Sequence, residues 1–174
     1  MRRSFAVTAV FTALLCSGCS DFVPPVSPSS VQSGAPASQG GAHSAPFQGS
    51  FEGIQTVTPL PPGQAQVNGS ASGSGTHLGR FTVTFPHIVT FATATGTGIY
   101  TFTAANGDLL TATFTGQAQQ GPIVFIVEAG TITGGTGRFA GATGTFTVQR
   151  QFVSANGTTT GSFEGTISWP GAAN

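Results

Sequence analysis

Two charged side chains fall on strand faces that are otherwise apolar, and they are the strongest candidates for chemistry. Side chains alternate between the two faces of a β-strand. Glu128 therefore shares a face with apolar positions 124, 126 and 132, and Arg150 with apolar positions 146, 148 and 152. An isolated buried ion costs several kcal/mol, so each charge requires a partner. One hypothesis is that Glu128 and Arg150 both point into the barrel and pair, directly or across a bound ligand.

Two alternatives stay open for this pair. The two residues could form a purely structural ion pair, or a β-bulge could turn one of them outward. Tyr100 shares a face with Phe102 and could present its phenol to a cavity, or lie satisfied in the core. Glu128, Arg150 and Tyr100 are therefore the candidate ligand-binding residues.

The other reactive side chains form no catalytic or metal-binding pattern. The three histidines lie far apart in the sequence and lack the spacing of metal ligands. Glu52 and Glu164 alternate out of phase with their phenylalanine neighbours, which predicts that they lie on the surface. His87 follows Pro86 and is predicted to lie in a loop. We predict no catalytic residue, no metal and no cofactor.

The elements that would position these residues are short β-strands. From Phe47 onward, runs rich in Phe, Val, Ile and Thr are separated by glycine, and Asn-Gly pairs at 106–107 and 156–157 are typical of hairpin turns. This pattern predicts an all-β domain over 47–170, a small antiparallel barrel of about eight strands, with a sandwich as the alternative. The candidate strands are 47–57, 64–74, 77–85, 88–94, 98–104, 109–116, 123–132, 143–153 and 159–169.

A repeated pentapeptide favours a closed barrel. Gly-Ser-Phe-Glu-Gly occurs at 49–53 and again at 161–165, near the start and the end of the domain. If the first and last strands were neighbours, closure would remove both exposed sheet edges. Chance recurrence in a sequence of biased composition is the alternative.

The composition excludes several classes of partner. Charged residues make up 6% of the chain, against a usual level of about 25%. Removal of a signal that carries Arg2 and Arg3 would leave three arginines against five acidic residues, a net charge of −2 with neutral histidines. Such a surface cannot neutralise many phosphates, so we expect no nucleic-acid partner.

The N-terminus predicts export. Arg2 and Arg3 precede an apolar run at 5–15, which is shorter than the ~20 residues of a spanning helix and is typical of a cleaved signal. Leu-Cys-Ser-Gly-Cys at 15–19 resembles the lipobox of bacterial lipoproteins, although Cys16 stands where that motif usually has leucine. The resemblance implies a signal peptide at 1–18 and acylation of Cys19. An ordinary cleaved signal without lipid is the alternative.

Residues 19–46 are predicted to be a disordered tether rich in Pro, Ser and Gly. It would hold the barrel beside a membrane of the bacterial cell envelope to which the lipid attaches. Ser20 after Cys19 favours the outer membrane, facing the periplasm or the cell surface, over the inner one. The paired arginines also fit twin-arginine export, but we favour general secretion.

The stretch at 131–146 carries a further resemblance. Its Gly-Gly-Thr-Gly-Arg-Phe-Ala-Gly core at 134–141 is similar to a motif of plant dirigent proteins and, more loosely, of allene oxide cyclases. Those families have an eight-stranded antiparallel β-barrel with an apolar cavity, often in trimers. The resemblance implies this fold and a possible homotrimer. Its glycines would let the chain bend between two strands while Phe139 folds back as a plug.

Three functions are compatible with this sequence. The first is a lipid-anchored barrel that binds a small apolar molecule or serves as a scaffold, with phenylalanines lining an open interior. The second is an isomerase or cyclase of the allene-oxide-cyclase type, which needs polar groups converging inside such a cavity. The third is a surface structural or interaction protein without a ligand. The first is favoured.

Overall fold

The protein is represented by a computed structural model that describes residues 44–170. These residues form nine β-strands and one short 3-10 helix, Gly137–Phe139. The strands are β1 (Ser44–Leu60), β2 (Gln64–Gly75), β3 (Gly79–Thr84), β4 (His87–Thr90), β5 (Thr95–Thr103), β6 (Leu109–Gln119), β7 (Ile123–Gly135), β8 (Thr143–Val153) and β9 (Thr158–Ser168).

All strand pairings are antiparallel, and the sheet closes on itself. Strand β1 pairs with β2 on one side and with β9 on the other. Strands β3 and β4 both pair with β2 and with β5, so together they act as one strand interrupted at Phe85 and Pro86. The result is a closed eight-stranded antiparallel barrel, which confirms the predicted fold class.

The two copies of the repeated pentapeptide lie side by side, where the first strand β1 pairs with the last strand β9. Phe51 in β1 is opposite Gly161 in β9, and Gly49 is opposite Phe163. A Cβ atom on Gly161 would lie 2.8 Å from Cζ of Phe51, and one on Gly49 would lie 2.6 Å from Cζ of Phe163. Each glycine therefore provides the space that a facing aromatic ring occupies, which explains why the two motifs recur on neighbouring strands.

Aromatic rings fill most of the barrel interior. The inward positions carry phenylalanines that are at most 4% exposed and pack edge-on or tilted at centroid distances of 4.7 to 6.2 Å. Burial of a phenylalanine contributes roughly 1.5–3 kcal/mol, so this cluster is the main source of stability. Its members are Phe47, Phe51, Phe81, Phe85, Phe102, Phe114, Phe146 and Phe163.

The two ends of the barrel differ. Both ends of the described chain, Ser44 and Pro170, lie at one end, together with the 3-10 helix. Gly137 there has a φ of +54°, which allows the chain to turn so that Phe139 plugs the barrel with 0% exposure. This agrees with the predicted role of the glycine-rich motif. We call this the closed end.

The opposite end carries no helix among the described residues. It is formed by the connections at 61–63, 91–94, 120–122 and 154–157, which we call the rim loops. Among residues 44–170, no helix is long and apolar enough to cross a membrane.

Most strand boundaries depart from the sequence predictions by one to four residues. Strand β1 begins at Ser44 rather than Phe47, and β4 ends at Thr90 because 91–94 form a turn. Within β2, Gly69 accommodates the ring of Phe85. The predicted signal peptide, Cys19 and the tether up to residue 43 lie outside the described residues.

Candidate functional site

A buried ion pair lies inside the barrel. Glu128 in β7 and Arg150 in β8 point inward and are 1% and 3% exposed. Arg150 Nη2 donates to Glu128 Oε1 at 2.8 Å, and Arg150 Nε lies 3.1 Å from both carboxylate oxygens. This two-sided contact is the strongest geometry for an arginine–carboxylate pair. Both residues therefore point inward and pair directly, which is also the geometry of the structural ion pair that the sequence left open.

Tyr100 joins this pair from β5. Its hydroxyl donates to Glu128 Oε2, and its ring is fully buried. Burial raises the pKa of Tyr100 well above its usual value, and the neighbouring Glu128 charge acts in the same direction. Tyr100 is therefore a neutral hydrogen-bond donor. Glu128 thus accepts hydrogen bonds on both of its oxygens.

Gln55 and His87 complete the group, which we call the polar floor (Gln55, His87, Tyr100, Glu128, Arg150). Arg150 Nη1 donates to Gln55 Oε1 at 2.8 Å, and Arg150 Nη2 lies 3.5 Å from His87 Nε2. His87 Nδ1 lies 2.9 Å from the carbonyl oxygen of Phe85, which can only accept, so Nδ1 carries the proton. His87 Nε2 is then free to accept from Arg150.

The electrostatics of the polar floor leave it neutral overall. Burial lowers the pKa of His87, although its hydrogen bond to Phe85 opposes this effect. Burial also acts to lower the pKa of Arg150, but the Glu128 carboxylate reverses this, and the net direction is upward. Arg150 is therefore a cation, and His87 is uncharged at neutral pH. Arg150 also lies over the ring of Phe85, with Cζ 5.3 Å from its centroid.

Glycines on neighbouring strands make room for these side chains. Gly116 in β6 is opposite Glu128, and a Cβ atom there would lie 2.6 Å from Glu128 Cγ. A Cβ on Gly98 would lie 2.4 Å from His87 Cβ. The strand sequence thus fixes both where the polar side chains lie and the space that they occupy.

Between the polar floor and the rim loops, four inward-facing apolar side chains of the wall are half-buried, whereas Ala65, Val67 and Thr159 at the same end are buried. We call this region the mouth, and its half-buried wall residues are Val89, Val124, Ile126 and Phe152.

The expectation of an open interior lined by phenylalanines is wrong, because those rings fill the barrel below the floor. Hollows of about 1270, 700 and 480 Å³ among the described residues lie on outer faces of the sheet. Most of their lining side chains are outward-facing Ser, Thr, Gln and Glu residues. Any ligand inside the barrel would therefore bind at the mouth.

Sequence reasoning missed Gln55 and His87. Gln55 has the same parity along β1 as Phe47 and Phe51, so the alternation used for Glu128 would have located it. His87 was predicted to lie in a loop after Pro86, but it begins β4 and is 5% exposed. His87 lies two residues after Phe85 and faces the same side of the sheet, but the proline between them obscured this alternation.

The remaining predictions about reactive residues have mixed outcomes. Glu52 and Glu164 are exposed, as predicted. No group of three or more histidine, cysteine or acidic side chains within 44–170 is arranged to hold a metal ion. The roles of Glu128, Arg150 and Tyr100 in ligand binding stay predictions.

Comparison with known proteins identifies the fold. No protein-family model matches the chain, and no curated protein sequence matches it. A solved structure of a pterocarpan synthase dirigent protein is similar, with a TM-score of 0.52 over 76% of this chain and 88% of that chain, at 15% sequence identity. Residues 44–170 thus form a dirigent-like β-barrel, and at this identity the similarity concerns the fold alone.

Proposed function

We propose that the protein binds one small, mainly apolar molecule in the mouth of a barrel that is anchored to the bacterial cell envelope. The observation that carries this proposal is the position of the half-buried apolar residues of the mouth. They lie directly above a neutral polar floor and keep part of their surface exposed, in a barrel whose interior is otherwise filled. Binding pockets commonly combine such an apolar wall with a few oriented polar groups.

The polar floor offers one free donor toward the mouth. Gln55 Oε1 is occupied by Arg150, whereas Gln55 Nε2 has no acceptor among the described residues and is not fully enclosed. A carbonyl, ether or hydroxyl oxygen of the ligand could accept from this amide. The walls would supply the affinity, since each 100 Å² of apolar surface removed from water contributes about 2.5 kcal/mol.

An isomerase or cyclase activity is less well supported. Catalysis by a general acid or base needs a titratable group within reach of the substrate. Here both oxygens of Glu128 already accept hydrogen bonds, Tyr100 is 0% exposed, and the His87 nitrogen without a proton, Nε2, faces Arg150 Nη2 at 3.5 Å. These contacts fit a structural and orienting role, so a binding or scaffold function is the better account.

The envelope location rests on the sequence. Lipidation at Cys19 would place the tether between the bilayer and Ser44, and the outer membrane is the favoured site. Mass analysis of the exported chain tests this, because an unmodified first residue would refute it. The resemblance to dirigent proteins also implies a homotrimer, which sedimentation analysis of the same sample tests.

Binding at the mouth can be measured with N-phenyl-1-naphthylamine, an uncharged apolar dye that fluoresces when it leaves water. Strand β7 offers a matched pair of positions, because Val124 faces the mouth and Val127 is 55% exposed on the outer wall. We expect Val124→Arg to abolish dye binding and Val127→Arg to leave it unchanged. If Val124→Arg fails to fold, Val124→Trp tests the same site by filling it. Equal effects at both positions would refute binding at the mouth.

A further inference from the structure

The rim loops and the strand ends beside them carry no charged residue. The sequence has no charge between Glu52 and Arg80, between Arg80 and Asp108, between Asp108 and Glu128, or between Arg150 and Glu164. These intervals contain all four rim loops. Glu128 and Arg150, which bound two of these intervals, are buried and form an ion pair with each other.

Large apolar side chains are exposed at the same end of the barrel. They project from the rim loops or from the adjoining strand ends, and they surround the mouth on several sides. These residues, which we call the apolar rim, are Val57 (43% exposed), Leu60 (36%), Phe91 (52%) and Ile123 (41%).

The exposed charges lie away from the apolar rim. Arg80, Asp108 and Arg138 are at the closed end, and Glu52 and Glu164 are midway along β1 and β9 on the outer wall. Exposed charges are therefore absent from the rim end, whereas exposed apolar side chains also occur on the outer wall at Ile54, Ile99, Phe125 and Val127. An uncharged apolar end opposite a charged one orients a molecule at a boundary between water and an apolar phase.

We propose that the apolar rim docks onto a neutral lipid bilayer surface, so that the mouth opens toward the membrane. The ligand of the mouth would then be a lipid-derived apolar molecule taken up from that surface. This part of the proposal rests on the function proposed above, whereas docking itself does not.

The shape and chemistry of the rim favour a bilayer over a protein partner. Protein interfaces usually combine an apolar centre with a polar periphery. Here the apolar residues lie at the ends of β1 and β7 and in the connection after β4, an arrangement that a deformable lipid surface can accommodate. The polar side chains beside them are uncharged glutamines, which can bind lipid head groups without the cost of removing a charge from water. Gln64, Gln119, Gln120 and Gln151 belong to this group.

The chain that precedes the barrel is long enough for this orientation. It joins the barrel at Ser44, at the closed end, which leaves its point of attachment away from the apolar rim. Residues 20–43 could span up to about 80 Å when fully extended. Strand β1 has 17 residues, which limits the barrel to at most about 58 Å along that strand. A barrel anchored through Cys19 could therefore turn its rim toward the same membrane.

Tryptophan reporters in the full-length exported chain test the docking. With Trp169→Phe as background, Ile123→Trp places the reporter at the rim, and Thr147→Trp places it on the outer wall of β8. The protein is mixed with phosphatidylcholine vesicles that carry brominated acyl chains, which quench tryptophan at the depth of the bilayer. We expect the rim reporter to lose most of its emission and shift to the blue, while the wall reporter stays unquenched. No quenching at either position, or equal quenching at both, would overturn the proposal.

A matched pair of charges tests which surface is responsible. Phe91 and Ile99 are 52% and 49% exposed, but only Phe91 is at the rim. In the Ile123→Trp background, Phe91→Glu should lower the ratio of quenched to unquenched reporter emission at saturating lipid by about tenfold or more. Ile99→Glu should leave this ratio unchanged. Equal effects of both substitutions would count against a rim contact.

Lipid charge and self-association provide two further outcomes. Because the rim is uncharged, quenching should be the same with neutral and anionic vesicles and should be insensitive to salt. A requirement for anionic lipid would overturn the proposal. So would absent quenching together with an oligomer that Phe91→Glu dissociates, because the rim would then be a contact between copies of the chain.

The two proposals fail separately. If the naphthylamine dye binds the mouth in lipid-free protein but the rim reporter is not quenched, the docking proposal alone is wrong. If the rim reporter is quenched but the dye does not bind, docking stands and the ligand-binding function is wrong.

Discussion

Breaking the ion pair of the polar floor should destabilise the barrel strongly. In Arg150→Met, Glu128 keeps the hydrogen bond from Tyr100 but loses its cation and three contacts of 2.8 to 3.1 Å. Both partners are at most 3% exposed. Removing one partner of such a pair costs about 3–5 kcal/mol. We expect a fall of that size in the free energy of unfolding and a drop of roughly 10–20 °C in the thermal midpoint.

The double variant Glu128→Gln/Arg150→Met separates the cost of the orphaned charge from the cost of altered packing. It should be more stable than Arg150→Met alone by at least about 2 kcal/mol, because no buried ion is left without a partner. Urea unfolding followed by circular dichroism measures all the variants. Arg138→Met is the control, since Arg138 lies 3.9 Å from Asp108 with its side chain 42% exposed, and its loss should change the midpoint little. A double variant as unstable as the sum of its single changes would refute the reasoning.

Two further predictions concern the surroundings of the ion pair. Because burial lowers the pKa of His87, the unfolded chain binds more protons there than the folded one. The stability contribution is therefore complete above the ordinary histidine pKa of about 6.5 and is lost as the pH falls below it. Urea midpoints of the wild-type protein should fall more steeply between about pH 7 and pH 5 than those of His87→Gln, and parallel profiles would contradict this. Gly116→Ala should cost about 1–3 kcal/mol, because its Cβ would lie 2.6 Å from Glu128 Cγ. Gly121→Ala, whose Cβ would lie 3.2 Å from a backbone oxygen in a rim loop, is the comparison, and calorimetry showing equal losses would contradict the prediction.

Much of the fold could be predicted because its signals are local. Alternation of apolar and polar residues places Phe81 inside and Thr82 outside, and the structure agrees. Closure of the barrel could be predicted from one non-local signal, the recurrence of Gly-Ser-Phe-Glu-Gly. Each phenylalanine of the repeat needs space, and a glycine on the neighbouring strand provides it. The sequence therefore contains the pairing of its first and last strands.

The candidate site could be predicted from the sequence only in part. Parity placed Glu128 and Arg150 on inward faces, because each lies within an uninterrupted strand. His87 was missed because Pro86 interrupts the ladder between β3 and β4, although the alternation continues across it. The filled interior could not be predicted, since the space left by the phenylalanines depends on how tightly the barrel closes.

The polar floor also determines how selectively the barrel can pair its strands. A slip of one residue between β7 and β8 would move Arg150 to the outer wall and leave Glu128 buried without a cation. The ion pair thus penalises a wrong register, in addition to the penalty from exposing Phe146 and Val148. A buried ion pair can enforce the register in this way only if its polar atoms find hydrogen-bond partners within the protein. Both carboxylate oxygens of Glu128 have such partners. The ligand discrimination that the proposed function requires would therefore come from the residues that remain half-buried in the mouth and from the free amide of Gln55. For this reason substitutions at Val124 test function, whereas substitutions at Arg150 test the fold.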